Sequence, residues 1–192
     1  MKKNPEFIIF CGPMFSCKTT FLLSQLDKFK YQNRKIFAFK PQVDDRYSTT
    51  EIVTHVGWRR DCTLIGTGTE LIQRLAEQTG EHEDSDNIVV AVDELFMVPG
   101  IADSLIWLFN SGITIVVSTL DMSFNCHPFD EVVKVLPWAT KVKKCVAVCS
   151  VCQRDANYTW RKPGAHSGDI VVGGGEMYEA RCYEHHPMLG AK

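Results

Sequence analysis

The sequence predicts an α/β fold: a parallel sheet covered by helices on both faces, with a small cysteine-bearing appendage at the C-terminal end. Three observations carry this. Four apolar runs, FIIF (7–10), KIFAF (35–39), NIVVAV (87–92) and ITIVVSTL (113–120), are near-continuous rather than alternating, as strands buried on both faces must be. Helical patterns separate them. The chain has 192 residues, enough for one ordinary α/β domain and little more. With 45% hydrophobic and 23% charged residues, the composition is that of a soluble globular protein. A net charge of −2 excludes a broad electrostatic footprint for nucleic acid or anionic membrane.

In order, Phe7–Phe10 is a short strand that stops at glycine. Thr19 or Thr20 opens a helix with Leu22, Leu26 and Phe29 at i, i+4 and i+7, which is one helical face. Lys35–Phe39 is the second strand, closed by Lys40-Pro41. Thr69–Glu77 reads as a helix with Leu71, Ile72 and Leu75 on one side, and the polar tract EQTGEHEDSD (77–86) as an exposed loop. Asn87–Val92 is the third strand and ends in Asp93-Glu94. Ala102–Phe109 is helical, stopped by Asn110-Ser111-Gly112, and Ile113–Leu120 is the fourth strand. Ligands of such sheets gather at the carboxyl ends of the strands. The N-terminal apolar run breaks at Gly12-Pro13, too early for a signal-peptide core. No later segment is long enough to span a bilayer, so a reducing cytoplasmic setting is expected.

That first break carries chemistry. Residues 12–19 read GPMFSCKT, the phosphate-binding pattern G-x-x-x-x-G-K-[ST] with Cys17 in place of its second glycine. Set between a strand and a helix, such a loop surrounds phosphate with backbone N–H groups. Lys18 then meets the β- and γ-phosphates and the Thr19 hydroxyl reaches Mg²⁺. Asp93 follows its strand as a Walker-B aspartate does, and Glu94 beside it is placed to take a proton from an acceptor hydroxyl or to orient a water. The fold class sharpens to a P-loop NTPase-like sheet. A thiol at a helix N-terminus is reactive, so modification of Cys17 is expected to block ATP.

Eight cysteines in a reducing setting point to metal or thiol chemistry rather than disulfides. Cys149-Ser-Val-Cys152 and Cys182-Tyr-Glu-His185 are two half-sites that together give a Cys₃His set, suited to tetrahedral structural zinc. His186 is an alternative fourth ligand. Such a closed site folds a lobe too small for a core of its own.

The order GPMFSCKTT, KPQVDDRYST, AVDE, TLDMSF, the paired half-sites and GGGEMYEARC resembles thymidine kinases of the type II, cellular-type family, from about Phe7 to His185. The resemblance implies a P-loop nucleotide-binding α/β domain over 1–144 and a zinc-binding lasso domain over 145–192 that covers the nucleoside site. It implies transfer of the γ-phosphoryl of ATP to the 5′-hydroxyl of thymidine. By position, Gly12, Pro13, Met14, Phe15, Ser16, Cys17, Lys18 and Thr19 would hold the phosphates, with Mg²⁺ on Thr19 and Asp93. Asp44-Asp45-Arg46 matches the family's Asp-Thr-Arg, so Arg46 would steady the transferring group, and Glu94 would be the general base. Leu95 and Phe96 follow it in the same ATP- and metal-binding segment. Phe124 would pack on thymine, Met14 would lie near the pocket floor, and Tyr178 would add its hydroxyl. Asp169, Ile170, Val171, Val172 and Gly173 would grip the base edge through main-chain groups, which glycines allow to come close. Deoxyuridine as a second substrate, dTTP as feedback inhibitor and a homotetramer are further family implications.

Three departures from the family stand out: Cys17 for the loop glycine, Leu95-Phe96 for a small residue and a glutamine, and Met122 where relatives often carry glycine. They raise an alternative, a copy that keeps the fold and zinc and binds nucleoside or nucleotide, or serves as a partner subunit, without catalysis. The retention of Lys18, Thr19, Arg46, Asp93 and Glu94 favours the active kinase.

Overall fold

Strand β1, Phe7–Cys11, is buried along its whole length, and its side chains alternate between two apolar layers. Phe7, Ile9 and Cys11 enter one core, Ile8 and Phe10 the other. The structure, a computed structural model, describes residues 4–44, 48, 50–80, 83–164 and 172–190. Helix α1 (Lys18–Tyr31) follows β1 and buries Leu22, Leu23, Leu26 and Phe29, one residue earlier than the periodicity places its start. Strand β2 (Lys35–Pro41) continues through the Lys40-Pro41 pair that the sequence reads as its end. Pro41 is tolerated because it is the last residue, and the Gln42 N–H beyond it donates to the Ile65 carbonyl at 2.9 Å.

A hairpin of β3 (Glu51–Val53) and β4 (Arg59–Asp61) leads to β5 (Thr63–Ile65). Helix α2 (Gly68–Gln78) opens on Thr67, whose side chain accepts from the Glu70 N–H, while the Glu70 carboxylate accepts from the Gly66 N–H. Such a reciprocal cap is worth about 1 kcal/mol. Strand β6 (Ile88–Val92), helix α3 (Ile101–Asn110) and strand β7 (Thr114–Thr119) complete the βαβ pattern. Helix α4 (Asp130–Val135) and strand β8 (Lys141–Lys144) follow.

The main sheet has the order β5-β2-β6-β7-β1-β8, and all its pairings are parallel. Helix α1 covers one face, with Leu22, Leu26 and Phe29 among Val89, Ala91 and Val116. The opposite face packs Leu71, Leu105 and Val132, from α2, α3 and α4, against Val90, Val92, Ile115 and Val117. The predicted class holds, and two strands join it that the apolar runs do not announce. β5 is only three residues long, and β8 reads KVKK with every residue exposed. Lysines on an exposed edge protect it from pairing with another chain.

Beyond β8 lies the small lobe. Strands β9 (Ala147–Val148) and β10 (Asp155–Ala156) make one ribbon, and β11 (Tyr158–Arg161) and β12 (Tyr178–Arg181) another. Its core is small, Ala147, Cys149, Ala156, Ala180 and Cys182, and Phe15 from the first strand–helix turn packs onto it. No helix of the described residues is long and apolar enough to cross a membrane.

Candidate functional site

The phosphate-type loop occupies the carboxyl end of β1, as the sequence predicts. Gly12 has φ +147, and a Cβ there would lie 2.3 Å from the Cys145 carbonyl oxygen, so the first glycine of the motif is required. The second glycine position is the instructive one. Cys17 has φ 59 and ψ 22 at the N-cap of α1, so the position does need left-handed backbone. A non-glycine residue adopts it at a cost of about 1–2 kcal/mol. Phe15 is likewise left-handed, φ 65, and its ring is held by the small lobe.

Inside the loop, the Lys18 ammonium donates to the Pro13 carbonyl at 2.6 Å, and the Ser16 hydroxyl donates to the same oxygen at 2.7 Å. Lys18 is buried; burial lowers its pKa, against the opposing pull of Glu94 and Asp93. The Thr19 hydroxyl lies 3.2 and 3.3 Å from the two Asp93 carboxylate oxygens. Ser118, at the end of β7, donates to the same carboxylate. Burial first, and then Glu94 beside it, push the Asp93 carboxyl up to about 7, while the bonds from Ser118 and Thr19 act the other way. Glu94 follows in left-handed backbone, φ 52 and ψ 46, which turns it away from the strand direction and onto the wall of the cleft.

One cleft brings together the loop residues Met14–Thr19, Lys40, Asp44, Asp93, Glu94 and Gly174. Lys40 is 3% exposed and 3.9 Å from Asp44; the sequence reading passed over it, although it stands just before the KPQVDDR segment's proline. Hairpin residues Ile52–His55 close one side. Asp45 and Arg46, and Asp169, Ile170 and Val171, lie outside the described residues. Of the glycine-bearing stretch that is described, Gly174 reaches the cleft and a Cβ on Gly175 would lie 4.0 Å from the Phe15 ring. Val172 and Gly173 are partly exposed beside it. Phe124 carries the Arg161 guanidinium 3.7 Å above its ring, and Tyr178, 6% exposed, lies across the ribbon from Arg161. Leu95 is fully buried and Phe96 is 8% exposed, packed 4.5 Å from the Phe129 ring, so both side chains belong to the core.

The cysteine half-sites converge. The ligand atoms of Cys149, Cys152, Cys182 and His185 all lie within 4.8 Å of one another. Cys152 and Cys182 sulfurs are 3.7 Å apart, and Cys182 Sγ is 3.1 Å from His185 Nδ1. Two sulfurs bound to one zinc at ~2.3 Å would be about 3.8 Å apart, so the donor set fits that ion. Burial raises the Cys149 thiol, but backbone donors at Cys182, Cys152 and Val151 outweigh it and hold it down to about 6. The choice between the two histidines is decided by packing: His186 is fully buried elsewhere, its Nε2 3.1 Å from the Thr159 carbonyl oxygen. Thr159 itself went unnoticed in the sequence. Its hydroxyl accepts from the Met14 N–H at 3.0 Å and ties the phosphate loop to the lobe.

A glycine-led loop between strand and helix, with a threonine facing an aspartate from a neighbouring strand of a parallel sheet, defines a P-loop nucleotide-binding α/β protein. The family model described as thymidine kinase matches residues 6–186, and the chain belongs to that family. It is 34% identical over 184 residues to a thymidine kinase of Thermococcus kodakarensis, covering 93% of this chain and 92% of that one. It is 31% identical over 185 residues to that of Pyrobaculum aerophilum (93% and 97% covered), and 34% identical over 180 residues to that of Mesoplasma florum (91% and 87%). Among solved structures, the genome packaging NTPase B204 of Sulfolobus turreted icosahedral virus 2 matches with a TM-score of 0.45 at 12% identity, covering 77% of this chain and 76% of that one.

Proposed function

We propose that this protein is an ATP-dependent kinase that transfers the γ-phosphoryl group to the 5′-hydroxyl of thymidine to give TMP. The observation that carries the reading is the Thr19–Asp93 pair, with Thr19 Oγ1 3.3 Å from Asp93 Oδ2 at the mouth of the phosphate loop, and Glu94 on the same cleft wall. Adjacent oxygens on an octahedral Mg²⁺ with ~2.1 Å bonds are about 3 Å apart, so these two residues fit such an ion. Thr19 and Asp93 would hold the ion, which would neutralise charge as it develops on the phosphates. The amides of residues 15–19 grip the phosphates. Lys18 exchanges the Pro13 carbonyl for phosphate oxygen, a short movement within the loop it already occupies. Glu94 accepts the proton of the 5′-hydroxyl as its oxygen bonds to the γ-phosphorus and the bond from that phosphorus to the β–γ bridging oxygen breaks, releasing ADP. Arg46 steadies the transferring group, as the match of Asp44-Asp45-Arg46 to the family's Asp-Thr-Arg implies.

For the nucleoside, Phe124 offers a ring face, with Met14 below and the 169–173 backbone along the base edge; Tyr178 adds its hydroxyl. Apolar stacking with main-chain hydrogen bonds is a sufficient way to read a pyrimidine. Zinc on Cys149, Cys152, Cys182 and His185 supplies folding energy to the lasso domain, 145–192, and leaves the 1–144 domain to do the chemistry. A homotetramer, use of deoxyuridine and feedback by dTTP belong to the same reading. They are checked by sedimentation and by substrate and inhibitor titration.

The deciding experiment is TMP formation from thymidine and Mg-ATP in fresh reductant, with a Glu94→Gln control. The expected result is thymidine-dependent TMP that falls by about a hundredfold or more in the control. Folded, zinc-loaded protein that makes no TMP would refute the reading and leave a binding protein.

A further inference from the structure

We propose that Ser118 is a positioning residue for Asp93, holding its carboxylate in the orientation that the metal role requires; this rests on the kinase reading above. Strands β6 and β7 are parallel neighbours with Val92 opposite Val117. The next residue of each strand, Asp93 and Ser118, therefore come side by side, and the Ser118 hydroxyl donates to Asp93 Oδ1. Both side chains are buried, Ser118 at 1% exposure and Asp93 at 6%, so water cannot stand in for a missing donor.

Two hydroxyls meet this carboxylate and they are not equivalent. Thr19 is half-buried at the start of α1 and faces the cleft. In a loaded site it turns its oxygen to the ion. Ser118 approaches from the sheet and does not line the cleft, so its hydrogen bond can persist when the ion is bound. Its neighbours show that the hydroxyl is not there for the strand. Ile115, Val116 and Val117 are buried and apolar, and Thr119 spends its own hydroxyl on the Leu120 carbonyl at 2.9 Å. A serine among valines, aimed at one oxygen of the buried Asp93 carboxylate, leaves the other oxygen to face the ion and its waters. A charged hydrogen bond lost from a buried site costs more than a neutral one.

The test compares Ser118→Ala, Ser118→Cys and Ser118→Thr with the native protein. Ser118→Cys fills the same space with a weak donor, and Ser118→Thr keeps the hydroxyl. Mn²⁺ binding to the complex with a non-hydrolysable ATP analogue is followed by electron paramagnetic resonance. TMP formation is measured across a range of Mg²⁺, and thymidine KM and melting temperature are recorded beside it. Ser118→Ala and Ser118→Cys are expected to weaken Mn²⁺ binding and raise half-saturating Mg²⁺ by about tenfold. Thymidine KM should stay unchanged and the threonine variant should restore native metal dependence. Native metal dependence in both the alanine and cysteine variants would overturn the proposal, as would a loss confined to melting temperature. If native protein binds Mn²⁺-nucleotide and Ser118→Ala weakens it, yet no TMP forms, the kinase reading fails while the role of Ser118 stands.

Discussion

Cys17 sits where the backbone is left-handed, φ 59, at the N-cap of α1, and its thiol is exposed. Relief of that strain by Cys17→Gly should stabilise the fold by about 1 kcal/mol or less, because glycine's extra freedom in the unfolded chain offsets part of the gain. Nucleotide affinity should rise by less than about tenfold, read as ATP Kd and KM. The same exposure makes Cys17 the thiol that alkylating reagents reach among the loop amides. Iodoacetamide at pH 8 should label it, abolish nucleotide binding, and be held off by Mg-ATP. Cys11 and Cys62, whose thiols burial pushes up to about 11, carry only about one thiolate in a thousand at that pH and should stay unlabelled. Equal labelling of all three, by peptide mass mapping, would refute the assignment. At this scale the sequence told much. Gly12, Lys18 and Thr19 are legible from spacing because a strand–loop–helix turn places them by local geometry, and Asp93 and Glu94 because they end an apolar strand run. Thr159 and Ser118 could not, because each acts through a partner far along the chain, Met14 and Asp93, and neither residue type is rare.

Elements divide in the same way. The strands that are legible, β1, β2, β6 and β7, are those buried on both faces, whose apolar runs leave no other reading. β5 and β8 escaped because one is three residues long and the other is exposed and lysine-rich; their place in the sheet comes from pairing with β2 and β1, which no local pattern encodes. The junction between loop and ribbon is the element-scale feature with a measurable consequence. Thr159→Val keeps the shape of the side chain but leaves the Met14 N–H, bonded at 3.0 Å in the native chain, without its acceptor. A buried donor left so costs about 1–3 kcal/mol. We expect ATP binding to weaken by about fivefold to a hundredfold, with Thr159→Ser close to native. Equal nucleotide affinity in the valine variant would show that the loop holds itself.

At the scale of the whole molecule, the small lobe and the sheet are one mechanical object. The lobe's own core is five small residues, and Phe15 of the phosphate loop packs against it. The Cys₃His cluster suits a metal ion, and binding one would let so little apolar surface fold. Removal of zinc with a strong chelator should therefore melt the lobe while the sheet keeps its helix signal in circular dichroism. Nucleotide affinity should fall with it, although no zinc ligand lines the nucleotide cleft. Readdition of zinc in reductant should restore both. Unchanged nucleotide binding in verified metal-free protein would separate the two sites. The four clustered residues are legible as paired half-sites. The link from their lobe to the phosphate loop is not, since it runs through Phe15 and Thr159 rather than through any motif.

The seam at residue 145 shows why such a chain resists being taken apart. The Cys145 N–H donates to the Cys11 carbonyl at 2.6 Å, and its own carbonyl occupies the space that any side chain on residue 12 would need. The point where the sequence suggests a cut between two modules is thus a clasp on the most demanding turn of the catalytic half. Both contacts are made by main-chain atoms, so chimeras that exchange the lobe between relatives must keep glycine at 12 and the backbone path through 145. Drifting sequences are expected to hold that glycine while the side chains at 11 and 145 change, an inheritance of path rather than of residue.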